Sequence, residues 1–118
     1  MPNDEHGGVR IEDDGARWVL WGEVDAAVQA RYEDRVVSAL GDVSGPVTVD
    51  LSDVTFMDSG GLRLLYRAVH PTAGNPVLVD VPARIRDLLE ISGVAALFTF
   101  VDEAGTTDGS DATEKAGA

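Results

Sequence analysis

Apolar and polar residues alternate through Val47-Thr48-Val49-Asp50-Leu51, which predicts a strand opened by Pro46. Downstream, Leu62, Leu65, Tyr66 and Val69 recur at i, i+3, i+4 and i+7, the apolar stripe of an amphipathic helix. Ser52 to Met57 reads as a link between them. It leads into Asp58-Ser59-Gly60-Gly61, where loop turns into helix and Ser59 takes the N-cap position. The first N–H groups of a helix lack internal partners and carry partial positive charge. With two glycines after Ser59, another molecule could approach those groups closely. Helix capping alone would also account for the serine.

The flanking segments extend the pattern. Val9–Asp13 and Ala16–Val24 are short apolar segments around Asp14-Gly15, a two-residue hairpin signal. Asp25 is placed to cap a helix whose buried face is Val28, Tyr32, Val36 and Leu40, widened by Val37 and ended by Gly41 as its C′ residue. His70 to Pro76 is a concentrated breaker. Val77 to Val81 then reads as a strand buried on both faces. Pro82 opens a helix with Ile85, Leu88 and Leu89 inward and Gly93 at its end, and Leu97 to Val101 supplies a last strand. A hairpin followed by βαβ units predicts an α/β fold: a mixed sheet of about five strands with three to four helices and right-handed crossovers. Such crossovers bring Asp25 and the Asp58–Gly61 loop to the same end of the sheet.

Length and composition narrow the class. The chain has 118 residues and no cysteine, so one core is expected without disulfides or thiolate chemistry. Residues 1–8 read as a flexible N-terminus, 9–101 as the domain, and 102–118, with no large apolar residue, as a disordered acidic tail. Neither a signal-peptide core nor a membrane-length apolar run is present, which predicts a soluble cytoplasmic protein. Of the net charge of −12, the two ends carry two thirds, leaving residues 15–101 at −4. Nucleic-acid backbones and anionic membranes should be repelled.

Enzyme chemistry finds little support. Met57 stands where a G-x-S-x-G elbow needs its first glycine. Of the two histidines, His6 lies in the N-terminal end expected to be mobile. His70 lies eleven residues past Ser59, about three helical turns away, and cannot serve it as a base. Asp25 and Asp58 could pair as acid and base or bind Mg²⁺, but a cap and a turn explain them equally well. Gly60-Gly61-Leu62-Arg63 has neither the spacing nor the lysine of a phosphate loop. No metal, cofactor or catalytic residue is expected. Of Trp18 and Trp21, one is expected in the core and the other partly exposed.

Taken together, Gly22-Glu23-Val24-Asp25, Val49 to Leu62 through Asp58-Ser59-Gly60-Gly61, and Ile85 to Gly93 followed by Leu97-Phe98 resemble a STAS domain. More narrowly they resemble a bacterial anti-sigma factor antagonist over residues 9–101. The resemblance implies that Ser59 is phosphorylated by a serine kinase that is also the anti-sigma factor. The unphosphorylated antagonist binds this kinase and frees the sigma factor, and a PP2C-like phosphatase restores it after phosphorylation. Asp25, Asp58, Ser59, Gly60, Gly61 and Leu62 would form the partner-facing surface, with Asp50 and Gly93 structural, on a monomer or weak dimer. Many relatives carry a hydroxyl residue at the position of Gly60, so this loop is expected to be more flexible. Relatives also usually continue into a packed terminal helix, for which residues 102–118 show no stripe. Other members are scaffold subunits of stress signalling, transporter appendages, or accessory subunits of lipid-transport complexes. A free-standing scaffold or accessory subunit is therefore the alternative.

Overall fold

The computed structural model describes residues 6–69 and 74–103. Expectations for residues 1–5, for His70 to Ala73 in the breaker and for the tail from residue 104 lie outside them. Five strands form one mixed sheet in sequential order. β1 (Gly7–Glu12) pairs antiparallel with β2 (Arg17–Val24), and β3 (Thr48–Met57), β4 (Val77–Val79) and β5 (Thr99–Val101) follow in parallel. Three helices cross between the parallel strands: α1 (Ala26–Ala39), α2 (Ser59–Arg67) and α3 (Ala83–Ile91). Each crossover steps the same way across the sheet, so right-handed connections put all three helices on one face.

Where the structure departs from the sequence pattern, the causes are local. β1 begins at Gly7, inside the segment expected to be flexible. The hairpin connection is longer than two residues. Glu12 pairs with Arg17, and Asp13, Asp14 and Gly15 all take positive φ. Aspartate tolerates that region better than most side chains. The Trp18 indole N–H donates to the Gly15 carbonyl at 3.0 Å, tying the turn to the core. Gly41 is not a left-handed C′ residue; it lies within a 3₁₀ turn, Leu40–Asp42. Val37 does not widen the buried face of α1 and is exposed.

The largest correction concerns Ser52 to Met57, which continues β3 instead of linking away from it. Against β2, β3 carries one extra residue between Asp50 and Asp53 and another between Val54 and Phe56. These bulges shift the strand's phase, so Val49, Leu51, Val54 and Met57 are all buried while Ser52 and Asp53 are both exposed.

The core lies between the sheet and the helices. Trp18, Leu20 and Val24 of β2 meet Val28 and Val36 of α1, Leu64 and Leu65 of α2, and Ile85 and Leu89 of α3. Each such side chain contributes about 1.5–3 kcal/mol when fully buried. Trp21 is half-buried. The stripe of α2 is set one residue earlier than expected: Gly61, Leu64, Leu65 and Ala68 are buried, and Tyr66 is exposed. Gly93 ends α3 with φ +79°, its N–H on Glu90 O and that of Val94 on Leu89 O, a complete Schellman motif. On the opposite face of the sheet Asp50 accepts from Arg17 at 3.1 Å and from the Ser52 hydroxyl at 2.7 Å, which fits its structural reading.

Candidate functional site

β2 and β3 are parallel and end together, so the helices that follow them start side by side. Asp25 caps α1, with its side chain accepting from the Val28 N–H at 3.1 Å. The Asp58 N–H reaches the Val24 carbonyl at 3.4 Å, joining the two strand ends. The expected meeting of Asp25 with the Asp58–Gly61 segment is therefore present.

Asp58, not Ser59, caps α2. Its carboxylate accepts from the Gly60 N–H at 2.8 Å while its backbone stays extended. A carboxylate accepts well at an N-cap, and with that position taken Ser59 becomes the first helical residue. Ser59 is exposed, and among the described residues its hydroxyl has no hydrogen-bond partner.

Gly60 and Gly61 are buried and belong to a helix, so they supply neither loop flexibility nor exposed contact atoms. A Cβ on Gly60 would lie 2.7 Å from the Ala26 backbone, and one on Gly61 would lie 2.7 Å from the Val24 carbonyl oxygen. The pair lets the first turn of α2 press against the start of α1. Leu62 is half-buried and packs on the core. Of the expected surface, Ser59 is exposed and Asp25, Asp58 and Leu62 are partly so, with the glycines beneath them.

Two features of this end have little sequence signal. His6 Nε2 lies 2.9 Å from Asp25 Oδ2, and its carbonyl accepts from the Glu23 N–H. The partner is nineteen residues away, a separation that no periodicity reports. The Val28 N–H holds the Asp25 carboxyl below its usual range; partial burial opposes this, and His6 adds to it. His6, Glu23 and Asp25 each offer a ligand atom, all within 4.8 Å of one another. The cap and the His6 contact already explain how Asp25 is placed, so this trio is geometrically able to hold a cation without being built for one.

The second feature is apolar. Phe56, Met57, Ile85, Leu88 and Ile91 line an open groove of about 320 Å³ beside the end of β3. Phe56 is 47% exposed and Ile91 85%, unusual values for such residues. Phe56 faces outward because of the second bulge. Ile91 falls outside the buried stripe, a sign readable from its position in α3.

Comparisons with known proteins agree with this architecture. No curated protein matches the sequence significantly. The anti-sigma factor antagonist SpoIIAA in its unphosphorylated form is similar in structure, with TM-score 0.63 and 20% identity over 83% of this chain and 90% of its own. A candidate anti-sigma factor antagonist of Thermotoga maritima is similar with TM-score 0.59 and 19% identity, covering 78% and 82%. At such identities the likeness establishes the shared fold. Among the described residues, no helix is long and apolar enough to cross a membrane. The family itself is shown by a model described as "Mlab, STAS domain", which matches residues 8–101. The chain belongs to the STAS domain family.

Proposed function

We propose that this protein is an anti-sigma factor antagonist, a binding module and not an enzyme, switched off by phosphorylation of Ser59. Unphosphorylated, it binds a serine kinase that doubles as the anti-sigma factor and thereby releases a sigma factor for transcription. The kinase transfers a phosphoryl group from ATP to the Ser59 hydroxyl, the complex parts, and a PP2C-like phosphatase resets it. The observation that carries this reading is the exposed Ser59 hydroxyl at the start of α2, unengaged among the described residues.

Physical chemistry supports a switch of binding over one of folding. A phosphoserine adds about −1.5 to −2 charges. At the first turn of a helix that charge meets a favourable dipole, and Ser59 contributes no cap that phosphorylation would break. Against a close-packed partner the same charge would be desolvated without compensation. The partner surface would comprise Asp25, Asp58, Ser59 and Leu62, supported from below by Gly60 and Gly61, with the neighbouring groove adding apolar area. The working domain is residues 9–101, with Gly7 and Gly8 of β1 added at its start.

A second reading draws on the matching family model, which is named for Mlab and not for the antagonists. In it the protein is a scaffold or accessory subunit whose Ser59 is never phosphorylated. Affinity capture from the cells of origin separates the two. The antagonist reading expects wild type and Ser59→Ala to retain a serine kinase that Ser59→Asp loses. Equal capture of the same non-kinase partners by all three would favour the accessory subunit.

A further inference from the structure

Ser59 opens α2 and Arg63 follows four residues later, so their side chains stand on one face, with Cβ atoms about 5–6 Å apart. Both are solvent-exposed, the Arg63 side chain by 60%. Arg63 donates through Nε to Glu33 Oε2 of α1 at 3.1 Å, which uses one of the five N–H donors of its planar fork. Glu33 does not depend on that bond. The same oxygen lies 2.6 Å from the Arg67 Nη2 and 2.7 Å from its Nε, and the other oxygen accepts from the Gln29 side chain. Arg67 accordingly contributes most to holding the Glu33 carboxyl below its usual range, against partial burial, with Arg63 second. Arg63 can therefore leave without stranding a buried charge.

We propose that, once Ser59 carries a phosphate, Arg63 exchanges Glu33 for it and closes a clamp within α2. This rests on the phosphorylation reading above and adds how the modified state is held. A guanidinium fork matches phosphate oxygens bidentately, and the dianion outcompetes a carboxylate that already has a closer arginine. One guanidinium offsets only about one of the phosphate's −1.5 to −2 charges, so the clamp holds the group in place while net negative charge still faces the partner. A phosphatase must break the clamp to reach its substrate, so Arg63 sets the lifetime of the phosphorylated state. Arg67, one turn further on, keeps α1 and α2 together throughout.

The test uses full-length protein with phosphoserine installed at position 59 during synthesis, so no kinase is involved. ³¹P NMR follows the second ionisation of the phosphate, near pH 6 in an unpaired group. A cation paired with the dianion lowers that midpoint. Wild type should titrate about 0.3 pH unit or more below Arg63→Gln, as expected for a pair at this spacing, and Arg67→Gln should fall between the two, because Glu33 without Arg67 competes for Arg63. Equal midpoints for wild type and Arg63→Gln would overturn the clamp. So would an Arg67→Gln midpoint raised as far as that of Arg63→Gln, which would mean a diffuse charge effect. Because the phosphate is installed chemically, failure of the clamp is distinct from failure of the kinase reading, which mass mapping of Ser59 from cells decides.

Discussion

The Asp58 carboxylate and the Gly60 backbone N–H, 2.8 Å apart, close the first turn of α2 across Ser59 without using it. On the phosphorylation reading, stability and signalling then fall to adjacent residues. Asp58→Ala should cost about 0.5–2 kcal/mol. Ser59→Ala, which removes an exposed hydroxyl, should stay within about 0.5 kcal/mol of wild type. Urea unfolding of the two variants checks this, and a larger loss for Ser59→Ala would return the cap to the serine.

The buried glycines make a second expectation. The Ala26 backbone stands where a Gly60 side chain would go, and backbone cannot yield as a flexible side chain can. Gly60→Ser should destabilise by about 1–3 kcal/mol, the usual cost of overpacking. Gly61→Ala faces the Val24 carbonyl and should behave alike. Neutral melts for both would mean that α2 lifts from α1 more easily than its packing implies.

Asp25 supplies a pH signature. Its ionised form is favoured in the fold, chiefly by the Val28 N–H and then by His6. A depressed folded pKa gives stability that is present above the unfolded value, near pH 4, and is lost as pH falls through the lower folded value. Asparagine caps nearly as well but carries no charge. The melting temperature of wild type should therefore exceed that of Asp25→Asn at neutral pH, and the gap should close progressively below about pH 4. A gap independent of pH would remove the charge from the explanation.

The acidic end supplies a fourth. Residues 104–118 contain nothing large and apolar. The last described contacts, the Glu103 side chain accepting from Arg17 at 3.4 Å and the Glu103 backbone N–H donating to Asp80 Oδ1 at 2.9 Å, survive truncation after Glu103. The shortened protein should melt within about 5 °C of full length. A larger fall would reveal a packed terminal element.

Several of these outcomes concern features that the sequence displays only in part. Asp25 as a cap, the buried faces at Val28, Tyr32 and Val36, and the Gly93 stop were legible because each is a local periodicity or a local backbone demand. β3 beyond Leu51 was not, because two bulges break the alternation and place Ser52 and Asp53 side by side in solvent. The stripe of α2 was misphased because Gly61 and Ala68 are buried while carrying almost no apolar side chain. The identity of its cap follows from the same ambiguity: Asp58 and Ser59 are both good caps, and only the geometry of the first turn separates them. His6 and the Glu33 link to Arg63 and Arg67 are long-range pairings with no local pattern.

The central claim is that Ser59 is the switch. Protein purified from its own cells with its bound partners, then incubated with ATP, should gain the mass of one phosphate, mapped to Ser59 by peptide fragmentation. Ser59→Ala should gain none and still hold the kinase, while Ser59→Asp should fold normally and release it. Phosphate confined to another residue, or none on a protein that keeps the same partners with Ser59→Asp, would contradict the account.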